Sequence, residues 1–191
     1  MEEKKRCEWP VSDPLYLEYH DLEWGVPVRK DRKQFEFLVL ESAQAGLSWL
    51  TILKRREGYR RLYKDFDPEV VVRFDESHIL TMLQDTGIIR NRKKIEASVN
   101  NARCFLEARE QFGTFSNYIW GFTDGKQVNN NFSSLSDIPA TTPLSDIIAK
   151  DMKKRGFQFL GSTIIYAHLQ ATGLVNDHLV SCFRHSECTE D

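Results

Sequence analysis

A chain of 191 residues that is 41% hydrophobic and 28% charged, with six prolines, has the profile of one compact globular domain. A net charge of −2 excludes a bulk polycation but not local basic patches, and four cysteines in a chain of this size exclude a disulfide scaffold. No apolar run approaches the roughly 20 residues of a membrane span, and residues 1–6 are charged without the apolar stretch of a secretory signal, so no membrane partner is expected and the expected location is the cytosol.

Cys7 precedes a helix begun by Ser12-Asp13-Pro14 and carrying Tyr16, Tyr19 and His20. The next helix is expected to start at Asp31 as N-cap, with Gln34 completing a capping box before Phe35, Phe37, Leu38, Val39 and Leu40, and to end at Gly46. Within it Leu38, Glu41 and Ala45 fall at i, i+3 and i+7, so Glu41 shares the inward stripe. A buried carboxylate needs a partner, which makes Glu41 either a satisfied core residue or a site. After Gly46 and Leu47, Ser48 reads as the N-cap of a helix whose first residue is Trp49. One tight corner thus lets a carboxylate and an indole converge on one pocket.

Trp49, Ile52, Leu53, Tyr59, Leu62 and Tyr63 predict one helix, disturbed near Gly58, with Lys54, Arg55, Arg56, Arg60, Arg61 and Lys64 clustered beside it. Asp67-Pro68 caps a short turn, and Asp75 caps a helix with Ile79, Leu80 and Leu83. The string Thr86-Gly87-Ile88-Ile89-Arg90 makes a tight turn before a helix over 92–111. Two helices about a short Gly-containing turn, the second beginning with Arg92, Lys93 and Lys94, resemble the helix-hairpin-helix element of DNA-binding proteins, here at about 76–111. Backbone N–H groups at such a turn and helix start suit a phosphate, and the cations add sequence-independent attraction. An ordinary αα-hairpin with a solvated basic face accounts for the same residues.

Residues 121–142, with Asp124-Gly125 and Asn129-Asn-Asn131, form the longest polar interruption and predict a surface loop. Thr142-Pro143 starts a helix ending at Arg155-Gly156, where Lys153, Lys154 and Arg155 suit the negative end of the dipole. Ser162 is expected to cap a helix through His168 and Leu169, closed by Gly173. His168 reads as a packed polar residue, Cys104 as core, and Cys188 as a free thiol in a polar tail. Asn176 to Cys182 predicts a short helix that puts His178 and Cys182 one turn apart. No convincing alternating strand appears, so the fold class is all-α.

Cys7 and His20 near one end, with His178 and Cys182 near the other, supply two sulfurs and two nitrogens. Four such ligands complete a closed tetrahedral zinc shell that ties residues 7–20 to residues 178–182. Two unrelated pairs account for the same spacing.

Several long strings carry a resemblance. They are Cys7-Glu-Trp9, Ser12-Asp-Pro-Leu-Tyr16, Tyr19-His20-Asp-Leu-Glu-Trp24-Gly-Val-Pro27, Glu41-Ser-Ala-Gln-Ala-Gly-Leu-Ser-Trp49, Thr86-Gly-Ile-Ile-Arg90, Lys154-Arg-Gly-Phe157, and Gly173-Leu-Val-Asn-Asp-His178 through Cys182. In that order, and nearly end to end, they resemble the constitutive type I 3-methyladenine DNA glycosylases of bacterial base excision repair, members of the helix-hairpin-helix superfamily. The resemblance implies a single all-α domain over 1–191 with a helix-hairpin-helix and one structural zinc held by Cys7, His20, His178 and Cys182. It implies a monomer in the bacterial cytosol that cleaves the N-glycosidic bond of 3-methyladenine in alkylated double-stranded DNA. Free 3-methyladenine and an abasic site would be the products, without strand cleavage.

For site residues, the resemblance implies Glu41 as the catalytic and base-binding carboxylate, with Tyr16, Tyr19 and Trp49 as stacking walls and Trp9 and Trp24 as further walls. Gly46 and Leu47 match the family's plug and wedge, and Gly87, Ile88, Ile89, Arg90, Arg92 and Lys93 fall to the DNA grip. The superfamily's usual catalytic aspartate downstream of the hairpin has no evident counterpart, because Asp124, Asp137 and Asp146 each have a turn or capping role. The alternative is a non-catalytic damaged-DNA binder of the same fold, against which the retained Glu41 and complete aromatic set argue.

Overall fold

The computed structural model describes residues 4–10 and 13–189; Ser12, expected to open the first helix, lies outside them. Among these residues the chain is mostly helical: α1 (Pro14–Leu22), α2 (Asp31–Gln44), α3 (Trp49–Leu53), α4 (Arg56–Leu62), α5 (Pro68–Val71), α6 (Glu76–Gln84), α7 (Arg92–Phe112), α8 (Phe115–Trp120), α9 (Pro143–Lys154), α10 (Ser162–Ala171) and α11 (Phe183–Glu187). The core is the contact of α2 with α7, α8 and α10. Phe35, Phe37, Leu40, Phe105, Phe115, Ile119, Ile165 and Leu169 are fully buried there. Side chains of α2 are buried all round from Gln34 to Ala43, so this helix is the central rod against which the others lay one face.

Several elements begin where capping chemistry predicts. Asp13, Ser48, Asp67, Asp75 and Thr142 each accept from the first turn of the helix they precede. Asp31 does not. It is the first residue of α2, whose N-cap position is Lys30, and its carboxylate instead accepts from the N–H groups of Phe115 and Ser116 at 3.0 and 2.9 Å, capping α8. Gln34 likewise leaves the expected box: its amide donates to the Val28 carbonyl and accepts from His168 Nε2 at 2.8 Å. His168 is fully buried, and burial pushes its imidazole down to about 3, so it is the packed polar residue that its sequence context suggests. Ser162 is also the first residue of its helix rather than the cap, which is Gly161.

The helix expected across Gly58 breaks earlier, at Lys54 and Arg55, between α3 and α4. Gly58 lies within α4, where a Cβ would collide with the carbonyl of Gly87. Its role is close approach: it lets the turn at residues 86–90 pack onto α4. The basic cluster beside α3 and α4 is not a free surface. Arg56 is buried against Glu36 and Glu23 at 2.7 and 2.6 Å, while Lys54, Arg60 and Arg61 pair with Asp13, Glu57 and Asp85.

Two short strands also correct the strandless reading. β1 (Val128–Asn129) pairs in parallel with β2 (Val175–Asn176), fastening the polar stretch 121–142 to the C-terminal segment. That pairing occupies Asn176 and removes the predicted helix from Asn176 to Cys182; the chain is irregular there, and α11 begins only at Phe183. Cys188 lies in the turn after α11 and is buried rather than in a solvated tail.

Candidate active site and metal cluster

Residues Trp9, Tyr16, Tyr19, Trp24, Glu41, Gln44, Trp49, Leu135, Ile138, Ala167 and Gln170 line a cavity of about 310 Å³, near the lower end of small-molecule pockets. The structure therefore gathers Glu41 and all five predicted aromatics. Tyr16 and Tyr19 come from α1, Glu41 from α2 and Trp49 from the first turn of α3. Trp9 is the hub of the wall, its ring centroid 5.0 Å from those of Tyr16 and Trp24, while Tyr19 lies 5.4 Å from Trp49.

Glu41 is 3% exposed, and its Oε2 is buried without a hydrogen-bond partner. Burial alone pushes its carboxyl up to about 8. Burial, and then the Glu41 charge, raises the Tyr16 and Tyr19 hydroxyls above the ordinary phenol range. Two buried donors, Trp9 Nε1 and Trp49 Nε1, are also unpartnered. Buried polar groups are seldom left open in this way. Here three of them belong to residues around one cavity, which is thus supplied with donors and an acceptor for a flat polar ligand between aromatic faces.

The corner after α2 is held from outside the pocket. Gly46 takes φ +81° and Leu47 is 40% exposed, so the turn presents a bare backbone and one apolar side chain to solvent. Lys94 donates from Nζ to the Ala43 and Ala45 carbonyls at 2.8 and 2.6 Å, closing the α2 C-terminus with a residue that the sequence places among the free cations of α7. Arg92 is committed to Glu76 and Glu96, which leaves Arg90 and Lys93 exposed without ion pairs among the described residues. Not every turn amide is free either. Gly87 N–H donates to Asp85 at 2.7 Å and Ile89 N–H to the Tyr59 hydroxyl at 3.2 Å, while Ile88 is buried as an anchor.

On the far side of the aromatic wall, Cys7, His20, His178 and Cys182 are all buried, with one donor atom of each lying within 4.8 Å of the others. Cys182 Sγ is 3.5 Å from His20 Nε2 and 3.6 Å from His178 Nδ1, and Cys7 Sγ is 3.6 Å from His178 Nδ1. The outer nitrogens are engaged: His20 Nδ1 with Asp21 at 2.8 Å and His178 Nε2 with the Trp24 carbonyl at 3.0 Å. Both imidazoles are thereby fixed with their lone pairs facing the sulfurs, an arrangement fit to hold a metal ion. Sequence reasoning found these four residues. It missed Gln44, Ala167 and Gln170, whose helical positions carry no distinguishing signal, and Leu135 and Ile138, whose signal was apolarity inside a polar stretch.

The sequence profile of a methyladenine glycosylase family matches residues 9–185. The DNA-3-methyladenine glycosylase 1 of Escherichia coli K12 is 47% identical over 178 residues, spanning 93% of this chain and 95% of that protein. A crystal structure of 3-methyladenine DNA glycosylase I superposes with a TM-score of 0.90 at 51% identity, covering 94% of this chain and 98% of the other. The Staphylococcus aureus 3-methyladenine DNA glycosylase I, solved to describe 3-methyladenine recognition, superposes with a TM-score of 0.90 at 38% identity over 93% of this chain and 95% of its own.

Proposed function

The chain belongs to the methyladenine glycosylase family, and from that premise we propose that it flips 3-methyladenine out of alkylated duplex DNA and hydrolyses its N-glycosidic bond. The observation that carries this reading is the Glu41 carboxyl, buried without a hydrogen bond to Oε2 among aromatic rings. A base within a stack is out of reach, so it must leave the duplex to be recognised. Methylation at N3 makes the adenine cationic and weakens its bond to the sugar, so it departs as a neutral base without a general acid. Water supplies the oxygen that replaces N9 at C1′, the bonding pair leaves with the base, and the proton lost by the water passes to solvent.

Glu41 attracts the cationic base and accepts from its edge, while Tyr16, Tyr19 and Trp49 stack on it and Trp9 and Trp24 complete the wall. Leu47, beside Gly46 at the exposed corner, fills the gap left in the duplex. The phosphate grip is a helix-hairpin-helix formed by α6, the turn and α7, with Arg90 and Lys93 as its cations. Lys94 ties this grip to the corner that carries the wedge. Asp137 caps its own 3-10 turn by accepting from Ser133 and Ser134, which supports Glu41 rather than Asp137 as the working carboxylate.

The metal of the cysteine-histidine cluster is read as one structural zinc. In a tetrahedral shell with ordinary Zn–S and Zn–N bonds, sulfur and nitrogen lie about 3.6 Å apart, which matches the three S···N distances of the cluster. Four protein ligands would leave no position for substrate, so the ion would supply a cross-link and no bond-making.

The test is release of free 3-methyladenine from methylated duplex DNA, scored beside 7-methylguanine. Selective release, reduced by about 10–100-fold in Glu41→Gln, is the expected result; duplex binding without release would instead identify a damage binder. Substituting Arg90 and Lys93 together should weaken DNA binding and lower the slope of log affinity against log salt by about 2. An unchanged slope would remove this turn as the grip.

A further inference from the structure

Two glutamines line the cavity, and they differ in one respect. The Gln44 amide has no side-chain partner among the described residues, whereas Gln170 donates from Nε2 to Asp177 Oδ2 at 2.7 Å. Asp177 is fully buried, and its carboxylate has two further donors: Oδ2 also accepts from the Tyr166 hydroxyl, and Oδ1 accepts from Asn130 Nδ2 at 2.7 Å. Burial, together with this bond to Asp177, raises the Tyr166 hydroxyl well above the phenol range, so it remains a donor.

A free glutamine amide is ambidextrous, because rotation by half a turn exchanges its donor and its acceptor. Gln170 has lost that freedom. Flipped, its oxygen would face the oxygen of a buried carboxylate that already accepts from other donors. The amide is therefore fixed with Nε2 on Asp177, and Oε1 is left without a protein donor beside the cavity.

We propose that Gln170 is a specificity-determining residue for the base, its Oε1 accepting an N–H of the exocyclic amine, and that Asp177 is the positioning residue that makes this acceptor permanent. The inference rests on the base-excision reading above and names how that site chooses its base. A purine with an amine at this edge gains a hydrogen bond. One with a carbonyl there places two oxygen lone pairs against each other, and Gln170 cannot turn to relieve them. Glu41 cannot make that distinction alone, since its carboxyl accepts when ionised and donates when protonated, and its pKa of about 8 leaves both forms accessible. Asn130 adds a link to the loop: it ties the stretch that supplies Leu135 and Ile138 to the same carboxylate.

The experiment measures binding of two free bases, 3-methyladenine and 3-methylhypoxanthine, which differ in carrying an amine or a carbonyl at C6, to the metal-loaded full chain by calorimetry. Wild type should favour 3-methyladenine, and Gln170→Met, which keeps the side-chain length without the amide, should lower that preference by about tenfold. Asp177→Ala should lower it in the same direction and add nothing in the Gln170→Met background, while Asp177→Asn, which keeps an oxygen for Gln170 and Tyr166, should restore it. A general structural defect would weaken both bases together and leave their ratio alone. Melting temperature and metal content identify folded variants, and if Asp177→Ala fails to fold, Gln170→Met and Asp177→Asn carry the test. A folded Gln170→Met with the wild-type ratio overturns the inference. Wild type that binds neither base overturns the base-excision reading itself.

Discussion

The cavity and the cysteine-histidine cluster lie back to back, share Trp9 and Trp24, and treat their polar atoms in opposite ways. Tyr19 and His20 are consecutive in α1, yet one faces the cavity and the other the cluster, as successive helical positions about 100° apart allow. In the cluster both imidazoles are engaged on their outer nitrogens and the Cys7 sulfur receives the Leu179 N–H. In the cavity Glu41 Oε2, Trp9 Nε1 and Trp49 Nε1 are left unpartnered. A region whose outer hydrogen bonds are closed is built to stay as it is, and one with open, buried polar atoms stores free energy that a ligand recovers. On the proposed reading, fold stability belongs to the cluster and chemistry to the cavity.

The largest effect that would sharpen the contrast comes from the cluster. If the cluster holds the proposed zinc, Cys182→Ala, or chelation of the wild type, should remove it and cost stability on the order of the 5–15 kcal/mol that holds a domain together. Metal analysis alongside thermal unfolding checks this, and an unaltered melt after complete metal removal would break the comparison at its root. Any Cys182→Ala molecules that remain folded should still release 3-methyladenine, because none of the four cluster residues lines the cavity.

Both regions were legible in the sequence to different depths. The four side chains of the cysteine-histidine cluster stand out by type, and Glu41 by its place on an apolar stripe; these are signals carried by single residues or one helical period. What the sequence does not display is which distant group each polar side chain serves. Asp31 has the look of a cap for its own helix but caps α8. Lys94 reads as a phosphate-seeking cation but closes α2. The segment from Asn176 to Cys182 has helix-starting chemistry, yet Asn176 pairs in β2 and Asp177 is taken up by Tyr166, Gln170 and Asn130. In each case a long-range partner outcompetes the local one, because the local alternative would leave another buried group unsatisfied.

The smaller effect comes from the cavity and has the opposite sign for stability. The Glu41 carboxyl titrates near 8 in the folded chain against 4.5 as its ordinary value, so between those limits the folded state holds a proton that the unfolded state has lost. Stability must then fall as pH rises across that window and level off above it. Glu41→Gln removes the titration while keeping size and shape. Its melting temperature should equal that of wild type near pH 4 and exceed it at pH 9, by the equivalent of about 5 kcal/mol at roughly 1.4 kcal/mol per pKa unit. The same substitution should flatten the rise of kcat/KM through pH 8 that is expected of wild type, since that ratio reports the free enzyme and the cationic base seeks the ionised carboxylate. Opposite movements of stability and activity in one conservative variant would mark Glu41 as strained in the resting fold for the sake of the ligand. If Glu41→Gln instead melted below wild type at pH 9, the carboxylate would have a partner within the fold, and the cavity would be as closed as the cluster behind it.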